Sequence, residues 1–233
     1  MTAQKDLDTR DRIVRAAADL LADAAGEPVS TRAVCAAAGV GAPTLYHHFG
    51  DKRGLFDAVA AHGFERYLAS KRAQPSTGDP VEDLRRGWDL HVEFGRTNPA
   101  FYTLMYGTAR TPPVAAEAER ILTGLVAAVA RAGRLRVPVA TAVRMIHAAG
   151  VGVTLALVSG AVEPPDDAEL SVRTREAVLA AITVPDGAPG DGAVASRAVA
   201  LRAALAAAPP PELTATEAAL LAEWLDRVAA GER

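Results

Sequence analysis

Residues 30–52 read STRAVCAAAGVGAPTLYHHFGDK, and this stretch decides the fold. It predicts two short helices joined by a tight turn at Gly39, because glycine accepts the positive φ that such a turn needs. Residues 36–38 are all alanine, and small side chains let two helices approach closely. Four apolar residues are spaced to fill a small core beneath the pair: Val34, Val40, Leu45 and Phe49. The stretch therefore predicts a helix-turn-helix.

Helical spacing continues on both sides of this stretch. Upstream, one apolar stripe has the helical repeat and predicts a helix that Gly26 and Pro28 end. Its members are Ile13, Ala16, Ala17, Leu20, Leu21 and Ala24. Downstream, cap residues, glycines and prolines divide the chain further. The predicted helices are 31–38, a short one that begins near Pro43, one capped by Asp51 that runs to about 72, and then 81–96, 99–106, 112–132, 139–160, 167–183, 193–207 and 214–230.

The pattern as a whole predicts an all-α protein of two domains. Alternating β-branched runs are few, and no Asn-Gly hairpin signal occurs. The stretch 74–80 reads QPSTGDP, which is typical of a linker, so residues 1–73 and 81–233 are predicted to form separate domains. A Pro, Gly and Asp-rich loop is expected at 185–192. The last helix is predicted to open with a capping box formed by Thr214 and Glu217.

Composition limits the possible functions. The 233 residues carry 25 Lys and Arg against 28 Asp and Glu, a net charge of −3, so DNA binding would require a local patch. The opening residues are polar and show no signal peptide, and the most apolar window, 148–162, is broken by glycines and too short to span a bilayer. A cytoplasmic protein without membrane contact is expected. The single cysteine, Cys35, is interpreted as a buried, inert thiol, with a redox sensor as the remote alternative.

The motifs of residues 9–59 resemble the TetR family of transcriptional regulators. The resemblance rests on Thr31-Arg32, on the Ala36 to Val40 turn, on the string Thr44-Leu45-Tyr46-His47-His48-Phe49, and on Asp51-Lys52 followed by Leu55. It implies an N-terminal three-helix helix-turn-helix domain and a C-terminal helical bundle that binds a ligand and dimerises. The implied function is a ligand-responsive, sequence-specific DNA-binding regulator, a repressor released from a palindromic operator by a small, mostly apolar effector.

The resemblance also implies roles for individual residues. Positions that face the DNA backbone are Thr31, Thr44, Tyr46, His48 and Lys52, and positions that can touch base edges are Arg32, Ala42, Pro43 and Tyr46. Hydroxyl and ammonium groups can donate to phosphates and fix the register, and Lys52 also lies at a helix N-terminus. From Gly41 to Phe49 there is no Arg, Lys, Asn or Gln, so the usual bidentate base readers are missing. We expect modest direct readout by Arg32, His47 and the apolar residues, together with a contribution from DNA shape.

The second domain contains a weaker candidate site. Six residues within 88–106 are candidates for a ligand pocket, although such stripes are more often core: Trp88, His91, Phe101, Tyr102, Met105 and Tyr106. His147 is a further, weaker candidate. Residues 148–160, rich in small side chains, resemble the family helix that pairs across a two-fold axis, and with 167–183 they could form a homodimer interface. The last helix offers a competing surface through Leu220, Leu221, Trp224, Leu225 and Val228.

The alternatives to a repressor are an all-α enzyme and a transcriptional activator. An all-α enzyme is disfavoured because the chain has no Glu-x-x-His, no Asp-Asp-x-x-Asp, no Gly-x-Ser-x-Gly and no P-loop, and no cofactor is expected. A metal site at His47 and His48 is not expected, because adjacent helical residues point about 100° apart. A transcriptional activator with the same DNA-binding head stays open, since the sequence does not separate activation from repression.

Overall fold

The computed structural model describes residues 2–24, 29–107, 115–160, 166–184 and 193–230. This part of the chain forms eleven α-helices and no β-strand, which confirms the all-α prediction. Their bounds are α1 Thr2–Asp23, α2 Thr31–Ala38, α3 Ala42–Phe49, α4 Lys52–Ala73, α5 Pro80–Thr97, α6 Pro99–Tyr106, α7 Ala115–Arg131, α8 Val139–Val158, α9 Asp166–Ile182, α10 Ala193–Ala207 and α11 Ala215–Ala230. The predicted stop at Gly26 and Pro28, the start of the helix predicted over 112–132 and the predicted loop at 185–192 lie outside the described residues.

The chain folds into two compact units. The first comprises 1–74, 93–118 and 154–161, and the second comprises 75–92, 119–153 and 162–233. The first unit therefore contains the helix-turn-helix and also later segments of the chain. The domain boundary at 74–80 stays a prediction.

The head of the first unit is built around one apolar core. Its buried residues come from α1, α2, α3 and the start of α4, and Phe49 and Val40 pack against it half-buried. The fully or nearly fully buried members are Ile13, Val14, Ala17, Ala18, Val34, Ala38, Leu45, Leu55 and Val59. The Nε of Arg12 donates to the carbonyl of Ala38 at 3.0 Å, which ties α1 to the end of α2. The miniature core predicted from the spacing is thus present.

The turn between α2 and α3 has the geometry that the sequence predicts. Ser30 caps α2, because its Oγ accepts from the N–H of Ala33 at 3.1 Å. Gly39 ends α2 in the left-handed region, with φ 63° and ψ 39°. Its N–H donates to the carbonyl of Ala36, and that of Val40 donates to Cys35 at 3.0 Å. These two bonds form a Schellman motif, which satisfies the last carbonyls of the helix and turns the chain.

An aromatic cluster completes the first unit. Phe64 and Tyr67 of α4 and Phe94 near the end of α5 are buried, and the Tyr67 and Phe94 rings stack with centroids 4.6 Å apart. The Phe64 ring meets the Phe94 ring edge-on at 5.4 Å. Tyr102 of α6 is fully buried beside them in the same unit. The second half of α4 is therefore covered by chain segments that follow it.

Charged pairs join α5 to α9 in the second unit. The guanidinium of Arg85 binds the carboxylate of Glu176 with two N–O distances of 3.0 Å. Arg175 also donates to Glu176, at 2.9 Å, and to Asp89. These pairs, which are only partly exposed, hold α9 alongside α5.

The last two helices of the second unit form a hairpin. Arg202 of α10 lies 3.4 Å from Asp226 of α11. The buried Ser196 near the start of α10 donates to the carbonyls of Gly133 and Leu135 in the loop before α8, at 2.8 and 3.0 Å. Thr214 and Glu217 form the predicted capping box of α11, with the Glu217 carboxylate accepting from the Thr214 N–H at 2.9 Å. The same bonds lower the pKa of Glu217.

The helix α8 is the most apolar long helix of the described residues. Its length and a mean hydropathy of 1.6 would let it cross a membrane, yet core helices of water-soluble proteins meet the same two criteria. Only 28 % of its apolar window is buried within a single chain. The remaining residues of the window are half-buried or exposed.

Candidate nucleic-acid interface

The exposed side of α3 is one continuous arc. Ala42, Pro43, Tyr46 and His47 are exposed, whereas Leu45 on the opposite side is fully buried. The Tyr46 side chain keeps 43 % of its surface open, which is high for a large aromatic residue in a folded domain. Pro43 lies in the first turn, where its missing N–H costs no hydrogen bond. Four of the residues predicted to face DNA thus share one open surface.

His48 occupies a different position from the one predicted. Its side chain is only 8 % exposed, and its Nε2 lies 3.5 Å from a carboxylate oxygen of Asp6 in α1. Its ring also lies against Phe49, with centroids 6.1 Å apart. Position 48 follows Thr44 by one turn, and both lie at the flank of the exposed arc. A phosphate-anchoring role for His48 stays a prediction, and α1 shields most of the ring.

The cations next to the arc come from neighbouring helices. Arg32 is exposed in the first turn of α2. Lys52 and Arg53 are exposed in the first turn of α4, with the Lys52 Nζ 5.7 Å from the centroid of the Phe56 ring. Asp51 caps this helix by accepting from the N–H of Gly54 at 2.7 Å. The N-termini of α2 and α4 therefore carry the positive charge that α3 lacks.

Thr31 is half-buried at the start of α2, directly after the cap Ser30. Like Thr44, it presents a hydroxyl at the edge of the surface rather than at its centre. A hydroxyl in this position can donate to a phosphate without reading a base. The two threonines, Lys52 and Tyr46 are thus the side chains whose chemistry suits backbone contacts.

Three tyrosines come together in the first unit and form a second candidate site. Tyr102 and Tyr106 have ring centroids 4.8 Å apart, and Tyr102 shares a hydrogen bond with the buried Thr154 of α8. Burial raises the pKa of Tyr106 to about 12. Burial and the nearby Tyr106 and Tyr102 hydroxyls raise the pKa of Tyr67 well above its ordinary value. The phenols are therefore protonated and can donate hydrogen bonds.

Lys71 lies at the edge of the tyrosine cluster. Its Nζ is 4.9 Å from the centroid of the Tyr67 ring, and burial lowers its pKa to about 8. Sequence reasoning missed both Lys71 and Tyr67. Phe64, Tyr67 and Lys71 follow each other at three- and four-residue spacing on α4, and this repeat was the available signal.

The other predicted ligand residues have mixed surroundings. Met105 is buried, and the ring of Phe101 fills the space that a side chain at Gly63 would need. Trp88 is buried in the second unit and donates from Nε1 to the Oγ of Ser171 at 3.1 Å. Trp88 and the half-buried His91 both lie against Gly150 of α8. His147 is exposed. A ligand-binding role for these residues stays a prediction.

A short helix with an open arc, set on a Schellman turn and on a core shared by α1 to α4, defines a helix-turn-helix DNA-binding unit. Residues 13–59 match the bacterial regulatory proteins of the tetR family, and residues 84–182 match the tetracyclin repressor-like C-terminal domain. The chain belongs to the TetR family. The transcriptional regulation, DNA binding and helix-turn-helix that the motifs predicted agree with this membership.

Individual relatives agree with the family assignment. The HTH-type transcriptional regulator UidR of Escherichia coli strain K12 is 33 % identical over 76 residues, which are 33 % of this chain. The match spans 36 % of the length of UidR, about a third.

Solved structures show the same fold at low identity. A TetR family transcription regulator from Shewanella sp. PV-4 is 19 % identical with a TM-score of 0.58, covering 76 % of this chain and 99 % of its own. A variant of TetR from Acinetobacter baumannii AYE in complex with minocycline is 22 % identical with a TM-score of 0.56, covering 72 % and 93 %.

Proposed function

We propose that the protein is a ligand-responsive repressor, which binds a palindromic operator as a homodimer and leaves it when a small, mostly apolar effector binds. The observation that carries the proposal is the open arc of α3, held on a rigid turn between two helix N-termini that carry Arg32 and Lys52. Two such heads would enter successive major grooves, about 34–36 Å apart. Regulation rather than enzymatic activity, and a cytoplasmic location, are parts of this proposal.

The base contacts that we propose are few. Arg32 and His47 supply donors, while Ala42 and Pro43 offer apolar contacts to thymine methyl groups. Thr31, Thr44, Tyr46 and Lys52 would hold the backbone. Because α3 presents no bidentate reader, DNA deformability would contribute to specificity. We therefore expect the protein to bind its operator in a fixed register. Single base changes in the operator should weaken binding only modestly.

We propose the tyrosine cluster of the first unit as part of the effector site. The neutral Tyr102 and Tyr106 hydroxyls can orient a ligand whose body lies against Met105 and Phe101. Tyr67 and Lys71 of α4 contribute to the same site. Since α4 begins at the cap that follows α3, a ligand that prefers one position of α4 would change the affinity for DNA.

The homodimer would use α8 and α9. Only 28 % of the apolar window of α8 is buried in the single chain, and Val172 of α9 is 47 % exposed. The competing stripe on α11 is also open, with Trp224 52 % exposed. We favour α8 because it is the more apolar surface.

Val172→Asp should weaken the dimer in sedimentation equilibrium, and Leu220→Asp should leave it intact. The opposite pattern would assign the interface to α11.

DNA binding is tested by fluorescence anisotropy with the DNA that flanks the gene, against scrambled DNA of equal length. The full chain should show saturable preference for the flanking DNA at moderate salt. Tyr46→Ala should weaken this binding at least tenfold. Arg197→Gln, at an exposed position of α10, is the matched control and should leave it unchanged. Equal binding to both DNAs would refute sequence-specific regulation. If the chain prefers the flanking DNA, the location of the protected site relative to the promoter separates repression from activation.

A further inference from the structure

A groove in the second unit lies outside the surfaces described so far. It is bordered by α7, α8, α10 and α11 and has a volume of about 750 Å³. Small-molecule sites in proteins usually measure about 300–1,000 Å³, so the groove has the size of a ligand site. Its lining is mainly apolar, with Val139, Val143 and Val199 among alanines. An occupant would therefore place an apolar body against this lining.

Three arginines and two carboxylates, Glu119 and Asp226, line the groove, an excess of one positive charge. Glu119 lies twelve residues before Arg131 on α7, about 18 Å away along the helix axis. Arg131 ends α7 and Arg144 lies on α8, and neither has a carboxylate partner within the part of the chain that the structure describes. The polar contact of Arg144 is with Thr141, at a long 3.4 Å. The third arginine, Arg202, is balanced by Asp226. The guanidinium groups of Arg131 and Arg144 favour an anion, and a guanidinium binds a carboxylate through two parallel hydrogen bonds.

The wall formed by α10 and α11 is fixed in place. Ser196, which is buried, binds two carbonyls of the loop between α7 and α8. Ala203 and Ala229 are buried where the hairpin meets the groove. Both helices lie beyond residue 182, where the match to the C-terminal family domain ends. Two of the four helices that border the groove thus lie outside the matched segment.

We propose that this groove binds a small amphiphilic carboxylate, with its apolar body on the Val139, Val143 and Val199 lining and its carboxylate on Arg131 and Arg144. This site is separate from the DNA surface and from the tyrosine cluster. The carboxylate supplies the negative charge that the rim lacks. A neutral ligand of the same length would bind the lining alone.

The test uses decanoate and its uncharged counterpart decanol, each titrated into the full chain by isothermal titration calorimetry. Decanoate should bind saturably. The double variant Arg131→Gln/Arg144→Gln should lose at least tenfold in decanoate affinity and change decanol affinity by less than about twofold. The matched control is Arg197→Gln, on the exposed side of α10 away from the groove lining. An equal loss for both ligands, or none for decanoate, would overturn the proposal.

A second pair of variants separates occupancy of the groove from charge effects elsewhere. Ala206 is an exposed residue of the lining, whereas Ala204 is exposed on the same helix and does not line the groove. Ala206→Trp should abolish decanoate binding and Ala204→Trp should preserve it, with thermal unfolding by circular dichroism confirming that both fold. Unchanged binding in Ala206→Trp would place decanoate at another site. Loss of the dimer in Ala206→Trp with decanoate binding retained would assign the groove to a second copy of the chain. Either result would refute a carboxylate site here.

Discussion

The turn between α2 and α3 depends on the backbone conformation of a single residue. Gly39 has φ 63°, a region that residues with a Cβ enter at a cost of roughly 1–2 kcal/mol. Apart from its two chain neighbours, no heavy atom of the described residues lies within 4 Å of the position that a Cβ would take. The requirement for glycine is therefore conformational and not steric.

This distinction predicts opposite effects for two glycine substitutions. Gly39→Ala should lower the free energy of unfolding by about 1 kcal/mol, because alanine is strained at positive φ. Gly124→Ala, within α7 and equally free of neighbours, should raise it by up to about 1 kcal/mol, since alanine is the better helix former. Urea denaturation of the full chain measures both. A loss at both positions would mean that space rather than φ decides the outcome.

Lys52 gives a residue-scale prediction for DNA binding. If its ammonium contacts one phosphate, Lys52→Gln should weaken binding to all sequences alike and reduce the slope of log affinity against log salt by about 1. Lys52→Arg should retain most of the slope. Anisotropy titrations at several salt concentrations check this prediction. If Lys52→Gln has the same slope as the unsubstituted protein, Lys52 does not contact a phosphate.

Helix boundaries could be predicted where the signals are local. The bounds of α6 and α10 were predicted to the residue, because a cap, a proline or a glycine acts on its own neighbours. The inward position of His48 could not be predicted, since it depends on Asp6 of α1, 42 positions away. The contact between the Tyr67 and Phe94 rings could not be predicted either, because Phe94 belongs to another helix. The apolar residues of α4 are not confined to one face, because α4 is covered on more than one side.

The contact between α5 and α9 illustrates how charge holds two helices together. Hydrogen bonds from Arg85, and then from Arg175, lower the pKa of Glu176 below the 4.5 that is usual for the residue. A carboxylate whose pKa is lowered by folding stabilises the fold above its unfolded pKa. That contribution is lost as the pH falls through the lowered value. The α5–α9 contact is therefore acid-sensitive.

Glu176→Gln should make this sensitivity visible. At pH 7 the variant should unfold with a free energy lower by at most about 1 kcal/mol, because the pair is partly exposed and screened. The difference should shrink as the pH falls below 4.5 and through the lowered pKa, where the carboxylate of the unsubstituted protein becomes protonated. The control is Glu223→Gln on α11, whose carboxylate has no ion pair among the described residues. A difference for Glu176→Gln that is constant between pH 3 and 7 would contradict the assignment.

At the scale of the whole molecule, the first unit is discontinuous in sequence. The head and α4 share it with residues 93–118 and 154–161. Phe64 and Tyr67 are buried in contact with Phe94 of these later segments, and burying an aromatic side chain contributes roughly 1.5–3 kcal/mol. The second half of α4 thus depends on residues beyond the linker.

A fragment of residues 1–74 should therefore be less stable than the same residues in the full chain. Hydrogen exchange should be fast over residues 62–73 of the fragment and slow in the full protein, whereas Ile13 and Leu45 should keep more of their protection. Mass spectrometry after brief deuteration measures this difference. Equal protection of 62–73 in both would show that the first 74 residues fold independently, as the predicted boundary at 74–80 requires.

The open arc of α3 makes this head a useful starting point for building regulators with chosen targets. Leu45 anchors the helix from below, so Ala42 and His47 can be exchanged without opening the core. Ala42→Arg would add the bidentate guanine reader that the natural helix lacks. These two exposed positions can be randomised in a library that is selected for reporter-gene silencing in cells. Such a library would begin from a surface with few base preferences of its own.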